Sequence, residues 1–297
     1  KYEETKAGWI WDKKLFREIM SFTGWNVFGA SSTIFKMQVL NIVLNQLFSP
    51  IIVAARSIAS QVNNAVSTFS QNFYTAVRPQ IIKSYSSDKL EEMFELVYKS
   101  SKMTFFLMFV FTLPLYLEMD FVLALWLKQV PEWAVIFTKL VLIDTLIESM
   151  SYPFRAVAQA TGKIKLFQFI VGSLRILNFP LSLILISITK NPIFVFYVAI
   201  GLSALSFVAR ILIVRKLVAL KISKLLKDVV VPLLFSAAIS FLSIWNIRIF
   251  LGSGVVKFIN TTIISILIWC ILFFFIVLTK NEKQKVHNFI KNKLLKR

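Results

Sequence analysis

Residues 255–278 read VVKFINTTIISILIWCILFFFIVL, with Lys257 the single charge. A helix needs about 20 mostly apolar residues to cross the hydrocarbon core of a bilayer. A helix that is apolar all round has no face to offer water, so the solvent this stretch expects is lipid or protein. Seven more runs of the same kind lie upstream, at 24–48, 50–76, 103–126, 134–160, 166–188, 192–214 and 229–249. Pro50, Pro192 and Pro232 stand near the starts of runs, where a missing amide hydrogen does no harm. Pro114, Pro153 and Pro180 fall inside runs, where they predict kinks. The fold class that follows is all-α, a polytopic membrane helix bundle.

The whole composition agrees with that reading. Of 297 residues, 57% are hydrophobic and 16% charged, with a mean hydropathy of +0.71, well above the globular norm. The net charge of +19 does not argue for nucleic acid, because Lys and Arg sit in short segments beside apolar runs. There they serve orientation and contact with anionic membrane lipids. Cys270 lies inside an apolar run and His287 in the polar tail, so neither builds a disulfide or a metal cluster, and no cofactor is expected. The chain begins at Lys1 rather than Met, and a preceding N-terminal part is expected.

The basic residues also orient the bundle. With the N-terminus in the cytoplasm, the inner segments carry 25 of them and the outer loops 4, namely Lys128, Lys190, Arg248 and Lys257. Lys102, Arg210 and Arg215 are counted inside, while Lys36, Arg56, Lys139, Arg155 and Arg175 fall within spans. The positive-inside rule then places both termini in the cytoplasm of a bacterial inner membrane protein. Residues 1–23 form a connector whose Trp9, Ile10, Trp11, Leu15, Phe16, Ile19 and Met20 suggest an interfacial helix. Leu90, Met93, Phe94 and Val97 suggest a second amphipathic helix over 86–102. No loop is large enough to hold a catalytic domain, so an enzyme is not expected.

Polar side chains inside a span are costly unless they face protein or water, so their angular placement marks the faces turned away from lipid. The second span carries Arg56, Ser60, Asn63, Ser67, Ser70, Gln71, Tyr74 and Arg78 on one stripe. The fourth carries Asp144, Glu148, Ser151, Arg155 and Gln159, and the fifth Gln168, Gly172, Arg175, Asn178 and Ser182. The first adds Gln38, Asn41 and Asn45. Spans one, two, four and five therefore line something wet, while the third and eighth contact lipid or act as supports. By depth, Arg56 matches Asp144 and Lys36 matches Glu148, so structural ion pairing competes with a ligand role. Lys139 is expected to snorkel toward the headgroups.

SFTGWNVFG from Ser21, AARSIASQVNNAVSTFSQNF from Ala54, RPQIIKSYSSD from Arg78, LWLKQVP from Leu125 and QATGKIKLFQ from Gln159 resemble polysaccharide flippases. These belong to the multidrug, oligosaccharidyl-lipid and polysaccharide exporter superfamily, and the O-antigen flippase branch is the most similar. The resemblance covers about the first 215 residues. It implies two six-helix lobes around a central cavity, of which 24–214 is the C-terminal one, followed by a loop at 215–228, two additional helices at 229–278 and a basic tail at 279–297. The N-terminal lobe would belong to a preceding part of the same protein.

The implied cargo is a polyprenyl-diphosphate-linked oligosaccharide. Arginine suits the diphosphate, and amides and hydroxyls suit the sugars. The expected substrate-binding residues are Arg56, Asn63, Arg155, Arg175, Asn178, Gln38, Asn41 and Asn45, with Asp144 and Glu148 as ion-coupling candidates. The alternatives are a cation-coupled multidrug exporter of the same superfamily and, more distantly, a membrane-embedded glycosyltransferase or polymerase.

Overall fold

The computed structural model describes residues 11–294. It is helical throughout, with no strand among the described residues. In chain order the helices are α1 (Lys13–Leu47), α2 (Pro50–Ser86), α3 (Leu90–Leu117), α4 (Met119–Trp126), α5 (Ala134–Ser149) and α6 (Tyr152–Ala160). They continue as α7 (Ile164–Thr189), α8 (Phe194–Val218), α9 (Ile222–Leu225), α10 (Val231–Ile247), α11 (Gly254–Leu272) and α12 (Lys280–Leu294). A π-type turn at Leu226–Val230 joins α9 to α10, and another at Phe273–Val277 prolongs α11.

Among the described residues, six helical runs are long and apolar enough to cross a membrane: Lys13–Leu47, Leu90–Leu117, Ile164–Thr189, Phe194–Val218, Ile222–Phe250 and Gly254–Val277. The other two expected spans depart for separate reasons. α2 has the length but carries polar residues along all of it. The run 134–160 breaks after Ser149. Pro153 has no amide hydrogen to give the Ser149 carbonyl, and Thr104 Oγ1 of α3 donates to that carbonyl instead, at 2.8 Å. The helix restarts with Pro153 in the first turn of α6.

Several expected boundaries move. The interfacial helix is not separate: Asp12 caps α1 by accepting from the amides of Lys14 and Leu15, and no breaker strong enough to stop the helix intervenes before the membrane run. Trp9 and Ile10 lie outside the described residues. The amphipathic segment at 86–102 is the first part of α3, with Met93 and Val97 fully buried. The third span stops at Glu118 and resumes as α4. The segment 215–228 is not a loop. Only residues 219–221 separate α8 from α9, because Val218, Leu220 and Leu225 are drawn into the core. α7 runs through Pro180 unbroken.

Packing divides the bundle into two halves. α2 lies against α3, α5 and α6, whereas α1 lies along α7, which in turn packs on α8. The α1–α7 seam is close: a Cβ on Gly29 would collide with the Gln168 side-chain amide, and one on Gly172 would stand 2.6 Å from the Phe28 ring. Small residues at such crossings let backbones approach in a medium without a hydrophobic drive between helices. α5 bridges the halves by contacting both α2 and α8. The last two membrane helices dock on α3, where Trp269 is fully buried among Phe105, Phe106, Phe109 and Phe273 and donates to the Phe106 carbonyl at 3.3 Å. Each such aromatic pair adds about 1 kcal/mol beyond its buried area.

Candidate functional site

Between the two halves lies a cavity of about 360 Å³. Its wall is Thr33 from α1; Gln71, Tyr74 and Thr75 from α2; Glu148, Ser151, Tyr152 and Arg155 from the broken α5–α6; Phe167, Gln168, Val171 and Arg175 from α7; and Arg210 from α8. From Phe167 to Arg175 the cavity follows about 12 Å of helix, reaching from mid-bundle toward the end where basic residues cluster. The break at Ser149 positions it: Ser151 donates its side chain to the Glu148 carbonyl at 2.8 Å, and the turn aims Glu148, Tyr152 and Arg155 into the same space.

Charge is distributed unevenly there. Glu148 Oε1 stands 3.8 Å from Arg175 and 3.6 Å from Arg210. Arg175 also donates to Thr33 Oγ1 at 3.0 Å, tying α7 to α1, and Arg210 donates to Ser151 Oγ. Arg155 lines the same wall without a salt bridge among the described residues. Three guanidinium groups thus line a cavity with one carboxylate, which pairs with two of them, and the cavity is cationic. Tyr74 and Tyr152, 5.7 Å apart, supply an aromatic wall, and Gln71, Thr75 and Gln168 supply neutral polar groups. Asp144 sits beyond this cluster, paired with Lys36 at 3.5 Å, and its Oδ1 is buried without a hydrogen-bond partner among the described residues.

Of the expected site residues, Arg155, Arg175 and Glu148 meet in this cavity. Arg56 does not. It donates to Asn41 Oδ1 and, at 3.2 Å, to the Met37 carbonyl, so its fork holds α2 to α1 outside the cavity wall. The pairings inferred from depth are also exchanged: Lys36 rather than Arg56 meets Asp144, and Glu148 meets arginines rather than Lys36. The angular reading ranks residues within a helix but does not fix the rotation of one helix against another. Asn178 is fully buried and off the cavity wall, Asn63 is half-buried, and Gln38 and Asn45 are exposed on the outer surface of α1. Lys139 pairs with Asp120 at 3.1 Å rather than extending alone.

Arg210, counted by position as a loop cation, is 5% exposed and central to the cluster. The signal was present in the sequence: Ser203, Ser206 and Arg210, spaced three and four apart, are all buried on one face of α8. A second omission concerns α2. The expected stripe includes buried Ser67 and Ser70, while Ser57, Gln61, Asn64, Thr68, Asn72 and Thr75 form an exposed polar face of their own.

No curated protein and no solved structure matches the chain. The family model described as MatE matches residues 20–184, a segment that begins in α1, ends in α7 and contributes every cavity residue except Arg210. With more than half its length matched to that model, this multi-pass helical protein belongs to the MatE family of membrane transporters, within the multidrug, oligosaccharidyl-lipid and polysaccharide exporter superfamily.

Proposed function

We propose that the protein moves a polyprenyl-diphosphate-linked oligosaccharide from the inner to the outer leaflet of a bacterial inner membrane, for surface polysaccharide synthesis. The observation that carries this reading is the excess of arginine over carboxylate in the cavity, where Arg175 and Arg210 pair with Glu148 and Arg155 lines the wall without an ion pair among the described residues. A diphosphate crossing a low-dielectric region needs fixed cations nearby, since an unpaired buried anion is strongly disfavoured. Guanidinium meets phosphate oxygens with two parallel hydrogen bonds. The tyrosines, amides and hydroxyls beside them suit sugar rings, and the prenyl tail stays in lipid.

A cation-coupled drug exporter would use a free carboxylate in an aromatic pocket. Glu148 is held between two arginines, which disfavours that assignment. Asp144, with one oxygen unpartnered, is the better ion-coupling group and fits either cargo. The exposed amides on α2 support the further proposal that a second lobe, from a preceding part of the protein, closes the cavity from that side. Both termini of the chain are assigned to the cytoplasm by the distribution of basic residues.

The test is export in cells. Arg175→Ala in the whole protein should abolish surface glycan while lipid-linked precursor accumulates and protein level holds. Unchanged surface glycan together with altered drug susceptibility would assign the cavity to drugs instead.

A further inference from the structure

A second cavity, of about 730 Å³, opens at the basic end of the bundle, separated from the central cavity by α7, whose Leu166 and Phe169 line it while Phe167 and Gln168 line the other. Trp25 of α1, Leu166 and Phe169 of α7 and Leu217 of α8 form its apolar wall, and Lys163, Lys165 and Lys216 stand at its edge. No carboxylate lines it, and none of the three lysines makes an ion pair among the described residues. Lys165 lies over the Trp25 ring at 5.6 Å. Gly162, with φ of +69°, makes the turn from which Lys163 and Lys165 emerge.

The apolar wall continues along α1, from the level of the lysines to one turn deeper at Phe28 and Phe169. Trp25 meets Phe169 edge-on at 6.2 Å and Phe28 at 5.7 Å, and an adjoining space of about 400 Å³ is lined by Met20, Gly24, Phe28 and Phe169. Nothing lies within 4 Å of the position a Cβ would take on Gly24. A cationic rim thus leads into an open, apolar slot running along α1 and α7. A tryptophan stands at the junction, as tryptophans do at the headgroup level of a bilayer.

We infer that this groove is a binding site for an anionic phospholipid of the surrounding leaflet, with its phosphate on Lys163, Lys165 and Lys216 and one acyl chain in the slot beside Trp25, Gly24 and Phe169. A soluble anion would use the lysines and leave the slot empty; a zwitterionic lipid would fill the slot but offset its phosphate with its own cation, bringing no net counter-charge to the three exposed lysines. Only a lipid with a charged head matches both parts. The site is independent of the cargo assigned to the central cavity.

The test uses the full chain in nanodiscs of phosphatidylcholine into which either phosphatidylglycerol or further phosphatidylcholine, brominated on the acyl chains, is titrated. The Trp25 signal is the difference in fluorescence between the unmodified protein and Trp25→Phe. Brominated phosphatidylglycerol should quench that signal at lower mole fraction than brominated phosphatidylcholine. The preference should fall by on the order of five-fold for each of Lys163→Gln, Lys165→Gln and Lys216→Gln, the scale of one lysine near an anionic headgroup. Lys83→Gln, Lys221→Gln and Lys227→Gln, which remove equal charge elsewhere at this end, should leave it intact. Gly24→Leu fills the slot with no clash at its Cβ and should abolish quenching by both lipids, while inorganic phosphate should not displace the lipid. Equal quenching by the two lipids, a preference that survives in the triple Lys163, Lys165, Lys216 glutamine variant, quenching that survives in Gly24→Leu, or displacement by phosphate alone would each overturn the assignment.

Discussion

Lys102 of α3 and Glu282 of α12 meet at 2.8 Å with side-chain exposures of 2% and 12%, so the C-terminal helix is held to the bundle by a buried ion pair. Glu282 has a second task. It accepts from the amide and the hydroxyl of Thr279, while Thr279 Oγ1 accepts from the Glu282 amide, closing a capping box at the start of α12. Lys102→Ala leaves that carboxylate without its buried partner, which costs on the order of 3 kcal/mol. The expected result is faster amide hydrogen exchange through residues 281–286 with the exchange of α11 unchanged.

The same contact makes a pH forecast. Burial raises the Glu282 carboxyl, but the hydrogen bonds from Lys102 and Thr279 outweigh it and hold the group below the usual carboxylate range. A carboxylate depressed in the folded state stabilises above its unfolded value of about 4.3 and loses that contribution as pH falls through the folded value. Protection of α12 should therefore be flat from neutral pH to about 5 and decline below about 4. In Glu282→Gln most of the decline should vanish, leaving what Glu95 and Asp228, which line the same space, contribute; an identical acid transition in that variant would count against the assignment.

Glu148 offers a sharper separation of structure from transport. Glu148→Gln removes the only carboxylate among the described residues that pairs with Arg175 and Arg210, leaving two partly buried cations close together. The predicted loss is about 3 kcal/mol of stability, read as a lower melting temperature in detergent. Adding Arg210→Gln should recover part of it, since the double variant removes a charge from each side. Failure of the second change to recover any stability would mean that Glu148 acts elsewhere.

Arg56 and Asp144 are a pair by depth but not in space. Arg56 spans from α2 to Asn41 and the Met37 carbonyl, and Asp144 answers Lys36. Lys36→Ala with Asp144→Ala should therefore be milder than Asp144→Ala alone, whereas Arg56→Ala with Asp144→Ala should be at least as severe as the worse single change. Protein level and melting temperature across these variants decide the matter, and rescue in the Arg56 combination would reverse the assignment.

What could be read in advance follows from how each signal is encoded. The eight apolar runs are local, so each has a helix in the structure, and the missing amide hydrogen of Pro153, read as a kink, acts within four residues; Pro114 and Pro180, read in the same way, lie inside helices that continue past them. The helices that border the cavity were also legible, since Gln71, Glu148, Arg155 and Arg175 each sit on the polar side of their own helix. Partners were not. Lys36 and Asp144 are 108 residues apart, and which cation meets which carboxylate depends on helix rotation and tilt, about which a stripe says nothing. Arg210 was hidden by its position near a helix end, and Lys102 because its carboxylate lies 180 residues away.

The polar face of α2 yields the last prediction. Ser57, Thr68 and Thr75 satisfy their hydroxyls on carbonyls one turn back, so they would tolerate lipid. Gln61, Asn64 and Asn72 make no side-chain donation among the described residues and are exposed. An amide left unpaired in hydrocarbon costs several kcal/mol, and three on one helix would outweigh most of the gain from inserting α2 facing lipid. In the whole protein this face must therefore meet water or another polar surface. Cysteines placed singly at Gln61, Asn64 and Asn72 should react with a charged, water-soluble thiol reagent in membranes, in a Cys270→Ser background. Cysteines at Ile184 of α7 and Leu205 of α8, which are apolar and also exposed, should not. Reactivity at Asn64 no greater than at Leu205, in protein that melts normally, would mean that the face is covered by another polar surface rather than water, and the wet cavity would then be confined to the space around Glu148.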